Sequence, residues 1–241
     1  MTKVVISYGG GVQSTALVVL AMQRKWQIDE IIHVDLLDAE SPATRAYVAY
    51  FAGWLQDTYN RNLTIIQRDL YNDMLSNPQF TPVPWHGKNH TFMLRRQCTR
   101  QYKVEPVRRY VKEKYPRERI QMILGISVDE WHRMRTSGVK YITNVYPLVD
   151  ERLTRNDCRS IIEQSRLQIP PKSSCWFCPY RSARSQLELI KQYPTLREMA
   201  ATLEARINEE RRKKHKDEIV VLRTAQLEEQ SDFCEEGFCD V

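Results

Sequence analysis

The sequence predicts an α/β protein built on a mainly parallel sheet, followed by a smaller helical region that carries cysteines. Three observations predict it. Short runs of β-branched and apolar residues alternate with helical patterns, the rhythm of βαβ units. The first such run breaks into three consecutive glycines and passes at once into a helix. Five of the six cysteines lie beyond residue 150, away from the glycines. The expected division is a nucleotide-binding part, residues 1–150, and a helical part with a C-x-x-C pair and a cysteine-containing tail, residues 151–241.

Val4, Val5 and Ile6 have the composition of a strand buried on both faces. Ser7, Tyr8, Gly9, Gly10 and Gly11 follow, and from Ser14 the apolar residues Leu17, Val18, Leu20, Ala21 and Met22 recur at helical spacing. A strand, a glycine loop and a helix N-terminus together bind phosphate. Glycine allows φ > 0 and close backbone approach, while unpaired N–H groups and the helix dipole face the anion. Ser14 is expected as the N-cap or as a donor to the same anion. A tight turn using glycine for geometry alone is the plainer alternative. No Gly-Lys-Ser/Thr follows, so this is not a Walker A loop.

A second strand is expected over Ile28–Leu37, ending in Asp35 and followed by Asp38 and Glu40, with Ser41-Pro42 opening a helix. Acidic residues at the C-terminal end of a parallel strand lie where such sheets bind ligands, although they also cap helices. Leu63–Gln67 reads as a third strand. Residues 71–91 lack a period and read as either a disordered segment or part of a site; Trp85, His86 and His90 favour the latter, though not at metal-ligand spacing. Residues 92–115 hold Arg95, Arg96, Arg100, Lys103, Arg108 and Arg109 around Cys98, and cations favour its thiolate. Ile120–Ile126 is the next strand, with Gly125 near its end. Thr154 is a good N-cap for a helix containing Cys158, and Cys175-x-x-Cys178-Pro follows a Pro-Pro break. A long helix from Pro194 ends in RRKKHK (211–216), a solvated helix end or a nucleic-acid contact.

Net charge is +6 with a pI near 9.0, which suits a polyanionic partner or a solvated basic surface. There is no apolar run of about 18 residues and no signal-peptide pattern, so a soluble, cytoplasmic protein without membrane contact is expected. In that compartment the cysteines are not expected to pair as disulfides. Four of them, Cys98, Cys158, Cys175 and Cys178, can supply the ligands of a [4Fe–4S] cluster or of a tetrahedral zinc.

SYGGGVQST resembles the pyrophosphate loop, SGGxDS, of the PP-loop adenine nucleotide α-hydrolase superfamily, and most nearly its phosphoadenosine phosphosulfate (PAPS) reductase-like branch. Gly10, Gly11 and Ser14 match, while Gly9 and Gln13 replace a serine and an aspartate, so the magnesium arrangement of the family is in question. HVDLLDAESPAT is similar to that branch's DTGxExPxT element through Asp35, Glu40, Pro42 and Thr44. Cys98, Lys103 and Pro106 match its Cys-x-x-x-x-Lys-x-x-Pro element, without the tandem cysteine of the cluster-bearing reductases. Gly125, Glu130 and Arg133 match its Gly-x-x-x-x-Glu-x-x-Arg element, with Arg135 as the substitute if the register slips.

The resemblance covers roughly residues 3–180 and implies a doubly wound, mainly parallel, five-stranded sheet of the PP-loop kind. It implies ATP as cofactor, held by Ser7, Gly9, Gly10, Gly11, Gln13, Ser14, Asp35, Glu40 and Gly125 with magnesium as a companion. Ser14, Lys103 and Arg133 are then the catalytic residues, and Cys98, Cys158, Cys175 and Cys178 hold the cluster, or zinc. The activity implied is that of an ATP pyrophosphatase coupled to sulfur transfer. Similar proteins are the DNA phosphorothioation enzymes of the Dnd and Ssp kind and the iron–sulfur tRNA thiolases. Its partners would be DNA or tRNA and a sulfur donor such as a cysteine desulfurase. The alternatives are a PAPS or adenylylsulfate reductase and a non-catalytic iron–sulfur subunit. The tail, with Cys234 and Cys239, faintly resembles the mobile Glu-Cys-Gly tail of the reductases.

Overall fold

A computed structural model of the chain describes residues 1–89 and 91–223. His90 and the tail cysteines Cys234 and Cys239 lie outside the described residues. In chain order, β1 (Thr2–Tyr8), α1 (Val12–Gln23), β2 (Glu30–Asp35), α2 (Pro42–Tyr59), β3 (Thr64–Gln67) and α3 (Leu70–Ser76) come first. Next are β4 (His86–Gly87), α4 (Glu105–Lys114), β5 (Arg119–Leu124), β6 (Ile142–Val145) and α5 (Pro147–Asp150). The described chain closes with α6 (Arg155–Gln164), α7 (Ala183–Gln192), α8 (Thr195–Lys213) and β7 (Ile219–Val220).

The main sheet has five strands in the order β3-β2-β1-β5-β6, and every pairing in it is parallel. From β1 the chain winds outward to β2 and β3, then returns to add β5 and β6 on the other side of β1. The expected doubly wound α/β fold is what forms. Its direction reverses between β1 and β5, the place where such sheets open a crevice for ligands. Strand composition follows from burial on both faces. Ile6, Tyr8, Ile31 and Ile123 enter one apolar core with α1, with Tyr47, Val48, Phe51 and Leu55 of α2, and with Cys158 and Ile162 of α6. Residues of the opposite parity, Val5, Ile32, Val34 and Met122, are buried as well. A sheet covered on both faces gives no polar–apolar alternation, which is why its strands read as continuous apolar runs.

The chain forms two compact units. The first comprises Met1–Asp35, Glu40–Arg68 and Gln101–Ser173, and carries the five-stranded sheet. The second comprises Leu36–Ala39, Asp69–Arg100 and the chain from Ser174 onward. A cut at residue 150 is not where these units part. Residues 151–173 stay with the sheet because α6 packs on α1, and residues 69–100 belong with the C-terminal helices.

The second unit is assembled around aromatic residues. Trp85, Trp176 and Phe177 are buried, with Trp176 and Phe177 rings 4.6 Å apart and Trp85 5.7 Å from Phe177. The Trp176 indole N–H donates to the Asp38 carbonyl at 2.7 Å, and that of Trp85 donates to the Phe177 carbonyl at 3.3 Å. Trp85 therefore belongs to the core of this unit, not to a loop site. The RRKKHK run behaves as a solvated helix end: Arg212 pairs with Glu218 at 2.6 Å and Lys213 with Glu209 at 2.9 Å.

Candidate functional site

The glycine loop leaves the C-terminal end of the central strand β1 and enters α1, inside the first unit. Gly10 has φ +69°, in the left-handed region that favours glycine, and a Cβ there would lie 3.0 Å from Val48 Cγ2 and 3.3 Å from Thr44 Cγ2. Gly11, at φ −112° and ψ 176°, is the N-cap of α1. Ser14 stands three residues on rather than at the cap itself. Its hydroxyl donates to the Gly11 carbonyl at 3.0 Å and accepts from the Gly11 N–H at 3.2 Å. The cap is thus closed by Ser14 bonding back on the loop. Ser173, supplied from far along the chain, donates its hydroxyl to the Gly9 carbonyl.

At the switch point the loop after β5 closes on the same helix. A Cβ on Gly125 would meet Ser14 Cα and N at 2.7 Å each and Gln13 C at 3.0 Å. Only a residue without a side chain lets β5 and the start of α1 approach this closely.

Position 13 explains its own departure from the family pattern. The Gln13 carboxamide accepts from the Arg155 guanidinium at 3.1 Å and donates to the Ser127 hydroxyl at 3.5 Å. A neutral amide here joins α1, the loop after β5 and the first turn of α6. At the other end of the same two helices Gln23 donates to Ser165 at 3.0 Å. The two contacts show that α1 and α6 run parallel, so both helix N-termini, with their partial positive charge, lie at the glycine-loop end. Arg155 adds a full positive charge there, and α6 is fixed by a capping box between Thr154 and Asp157.

The acidic residues at the end of β2 form a second polar group. Asp35 pairs with Arg45 at 3.4 Å. The Glu40 side chain is 0% exposed and pairs with Lys103 at 3.4 Å, while its other oxygen is buried without a hydrogen-bond partner. His33, buried beside them, bonds through Nδ1 to the Tyr8 carbonyl at 3.0 Å. Burial holds this imidazole below its usual pKa, against the opposing effect of the Tyr8 carbonyl, so it is neutral at pH 7.

Of the residues expected from sequence, the structure brings Gly9, Gly10, Gly11, Gln13, Ser14 and Gly125 together around one loop. Glu40 and Lys103 pair with each other, and Ser7 lies in β1 itself. Arg133 is an exposed residue of the turn over Val128–Arg133, ion-paired to Glu130 of the same turn. The guanidinium bonded to the loop helix is that of Arg155, which the sequence reading passed over. Its only signal was the Thr154 cap that places it at the first position of α6.

The four cysteines expected as ligands fall in different units. Cys158 is 0% exposed within the apolar core of the first unit, and burial pushes its thiol pKa up to about 11. It repeats the inward face of α6 with Ile162, one helical turn away. Cys98, Cys175 and Cys178 belong to the second unit. Among the described residues no three His, Cys, Asp or Glu side chains are gathered to hold a metal ion. Cys175 and Cys178 are half-buried on a turn closed by a 3.2 Å bond from the Cys178 N–H to the Cys175 carbonyl. Buried Arg181 stands beside them, donating to Ser174 at 2.8 Å and Ser185 at 3.0 Å. Replacing Cys158 with Ser buries a hydroxyl in an apolar core and is expected to destabilise the protein by about 1–3 kcal/mol. Thermal unfolding with elemental analysis checks this, and the iron or zinc content of the parent should be unchanged. Metal lost with Cys158 alone would return it to the ligand set.

No protein-family model matches the chain, and no curated protein matches it. Among solved structures, the U34-tRNA thiolase NcsA from Methanococcus maripaludis with its [4Fe-4S] cluster is 16% identical, with a TM-score of 0.48 over 90% of this chain and 74% of that one. A predicted subunit of tRNA methyltransferase from Methanocaldococcus jannaschii DSM is 10% identical, with a TM-score of 0.28 over 90% of each chain. Neither likeness is close enough to assign an activity; the architecture rests on the chain's own elements. Among the described residues no helix is long and apolar enough to cross a membrane.

Proposed function

We propose that the chain is an ATP pyrophosphatase of the PP-loop kind that activates a nucleic-acid acceptor for sulfur transfer. The observation that carries the reading is the glycine loop at the switch point, with the parallel N-termini of α1 and α6 and the Arg155 guanidinium at the same end. Backbone N–H groups of the loop and the first turn of α1 would bind the nucleotide's phosphates, and Arg155 would gather the charge that develops as pyrophosphate leaves. Ser14 and Ser173 keep the loop in its binding shape. Gly125 lets the two sides of the crevice meet, and Glu40 positions Lys103 toward the nucleotide.

In the proposed reaction an oxygen of the acceptor attacks the α-phosphorus of ATP. The bond to the bridging oxygen breaks, pyrophosphate departs, and the acceptor carries AMP. The terminal sulfur of a persulfide on a donor such as a cysteine desulfurase then displaces AMP, and a second thiol cleaves the resulting S–S bond, leaving the sulfur on the acceptor and the donor thiol as a disulfide. DNA phosphorothioation and tRNA thiolation are both reactions of this class. ATP normally arrives with magnesium, and with Gln13 in place of an aspartate the carboxylates that could meet it are Asp35, Glu40 and Asp129, the last bonded to Ser127 and to the Arg155 N–H beside Gln13.

Pyrophosphate release from ATP, with and without DNA or tRNA, tests the reading. Arg155→Ala should lower kcat/KM by about 10²–10³-fold, the usual cost of removing one donor to developing charge. Gly10→Val should abolish nucleotide binding by straining the left-handed turn and crowding Val48. Sulfite formed from PAPS and a thiol, without pyrophosphate from ATP, would overturn the proposal in favour of a reductase.

A further inference from the structure

Beyond the loop, β5 continues into a turn that presents an aromatic ring to solvent. Trp131 is 64% exposed, whereas Trp85 and Trp176 are buried and Trp26 and Trp54 are half-buried. The turn is braced at both ends. Ser127, at its start, is bonded to Gln13 of α1 at 3.5 Å. At its end the Arg135 N–H donates to the Tyr146 hydroxyl at 3.0 Å, and the Arg135 guanidinium donates to the carbonyls of His132 and Met134 at 2.7 Å each. The Met134 N–H in turn donates to the Trp131 carbonyl at 2.9 Å. The indole is therefore held out on a fixed turn.

A cavity of about 440 Å³ adjoins this turn, lined by Met134, Arg135, Thr136, Asn144 and Tyr146 among others. Arg135 and Lys140 are exposed, and neither is ion-paired among the described residues, while the charge of Arg133 is matched by Glu130. One exposed tryptophan is by itself ordinary. An exposed indole on a braced turn, beside unmatched cations and a groove of largely apolar surface, has the composition of a stacking platform for a base with cations for its phosphates.

We propose that Trp131 and the Arg135–Tyr146 groove bind an unstacked base of single-stranded nucleic acid. The inference rests on the function proposed above and names the form of the acceptor: a single strand or a loop. In a duplex each base face is already covered by its neighbours, so an exposed indole gains little from it. In a single strand any base offers a free π face, and Arg135 and Lys140 meet the adjacent phosphates.

The test titrates the full chain with short oligouridylate and oligothymidylate while following tryptophan emission, with a duplex of equal length and ATP alone as separate arms. Single strands should quench the exposed indole, and the duplex and ATP should leave it nearly unchanged. Trp131→Ala should remove the quenching and weaken binding of a labelled single strand by roughly 5- to 150-fold, the range for loss of one stacked base. Trp131→Phe should keep most of the affinity, and ATP binding should be unaltered in both variants because the ring lies outside the core. Unchanged oligonucleotide affinity in Trp131→Ala overturns the proposal. Quenching by ATP alone overturns it too, assigning the indole to the nucleotide's own adenine. Equal quenching by duplex and single strand does the same. Pyrophosphate release is read separately: Trp131-dependent strand binding without it sinks the proposed activity and leaves this surface standing.

Discussion

Gly125→Ala is expected to lose both stability and nucleotide binding, although it adds one methyl group. The new Cβ would stand 2.7 Å from the Cα and N of Ser14 and 3.0 Å from the carbonyl carbon of Gln13. These are backbone atoms of the first turn of α1, so no side-chain rotation relieves the overlap. Either β5 or the glycine loop must move. Overpacking of this kind costs about 1–3 kcal/mol, and a clash with backbone belongs at the upper end. For a chain of this size that lowers the unfolding midpoint by roughly 6–12 °C. The displaced part is the loop proposed to cradle the phosphates, so ATP affinity should fall further than stability alone explains. Gly53→Ala is the control. It lies inside α2 with nothing within 4 Å of its Cβ, and should stabilise by about 0.5–1 kcal/mol. Calorimetric ATP titration and thermal melts of both variants decide the matter; a Gly125→Ala protein with parental midpoint and affinity would refute the close approach.

Lys103→Met should be the most destabilising change among the polar residues of the first unit. Among the described residues Lys103 is the one hydrogen-bonding partner of the Glu40 carboxylate, whose side chain is 0% exposed while that of Lys103 is 33% exposed. Removing the lysine leaves a buried charge without compensation, which costs about 3–5 kcal/mol, with the lower figure appropriate because Lys103 reaches solvent. Lys103→Met combined with Glu40→Gln should recover most of the loss at neutral pH, because no charge is left behind. Urea unfolding of the two single variants and the double variant at neutral pH measures the coupling. Additive effects would show that the pair does not act as a unit.

The sequence by itself determined the class of fold and the nature of its first loop. Val4–Ile6, Ile28–Leu37, Leu63–Gln67 and Ile120–Ile126 each contain or overlap a strand of the sheet. Their apolar runs are a local consequence of burial on both faces, so no knowledge of partners is needed to read them. Three glycines between such a run and a helical pattern are equally local. The fifth strand, Ile142–Val145, was not legible, since Thr143 and Asn144 separate its two apolar residues, whereas the equally short edge strand Thr64–Gln67 holds the adjacent pair Ile65 and Ile66.

What tertiary structure alone decided concerns contacts between distant residues. Cysteines read as ligands because they are cysteines; the fold makes Cys158 a core residue by packing α6 onto α1. Arg133 matched a pattern and yet faces solvent beside Glu130. Arg155 matched nothing, and bonds to Gln13 across 142 residues of chain. Periodicity reports which side of an element is buried, but not which element will lie beside it. That choice is made by packing helices in parallel at the switch point, where backbones approach closely enough to require Gly125 and to bring a guanidinium to the helix that follows the glycine loop.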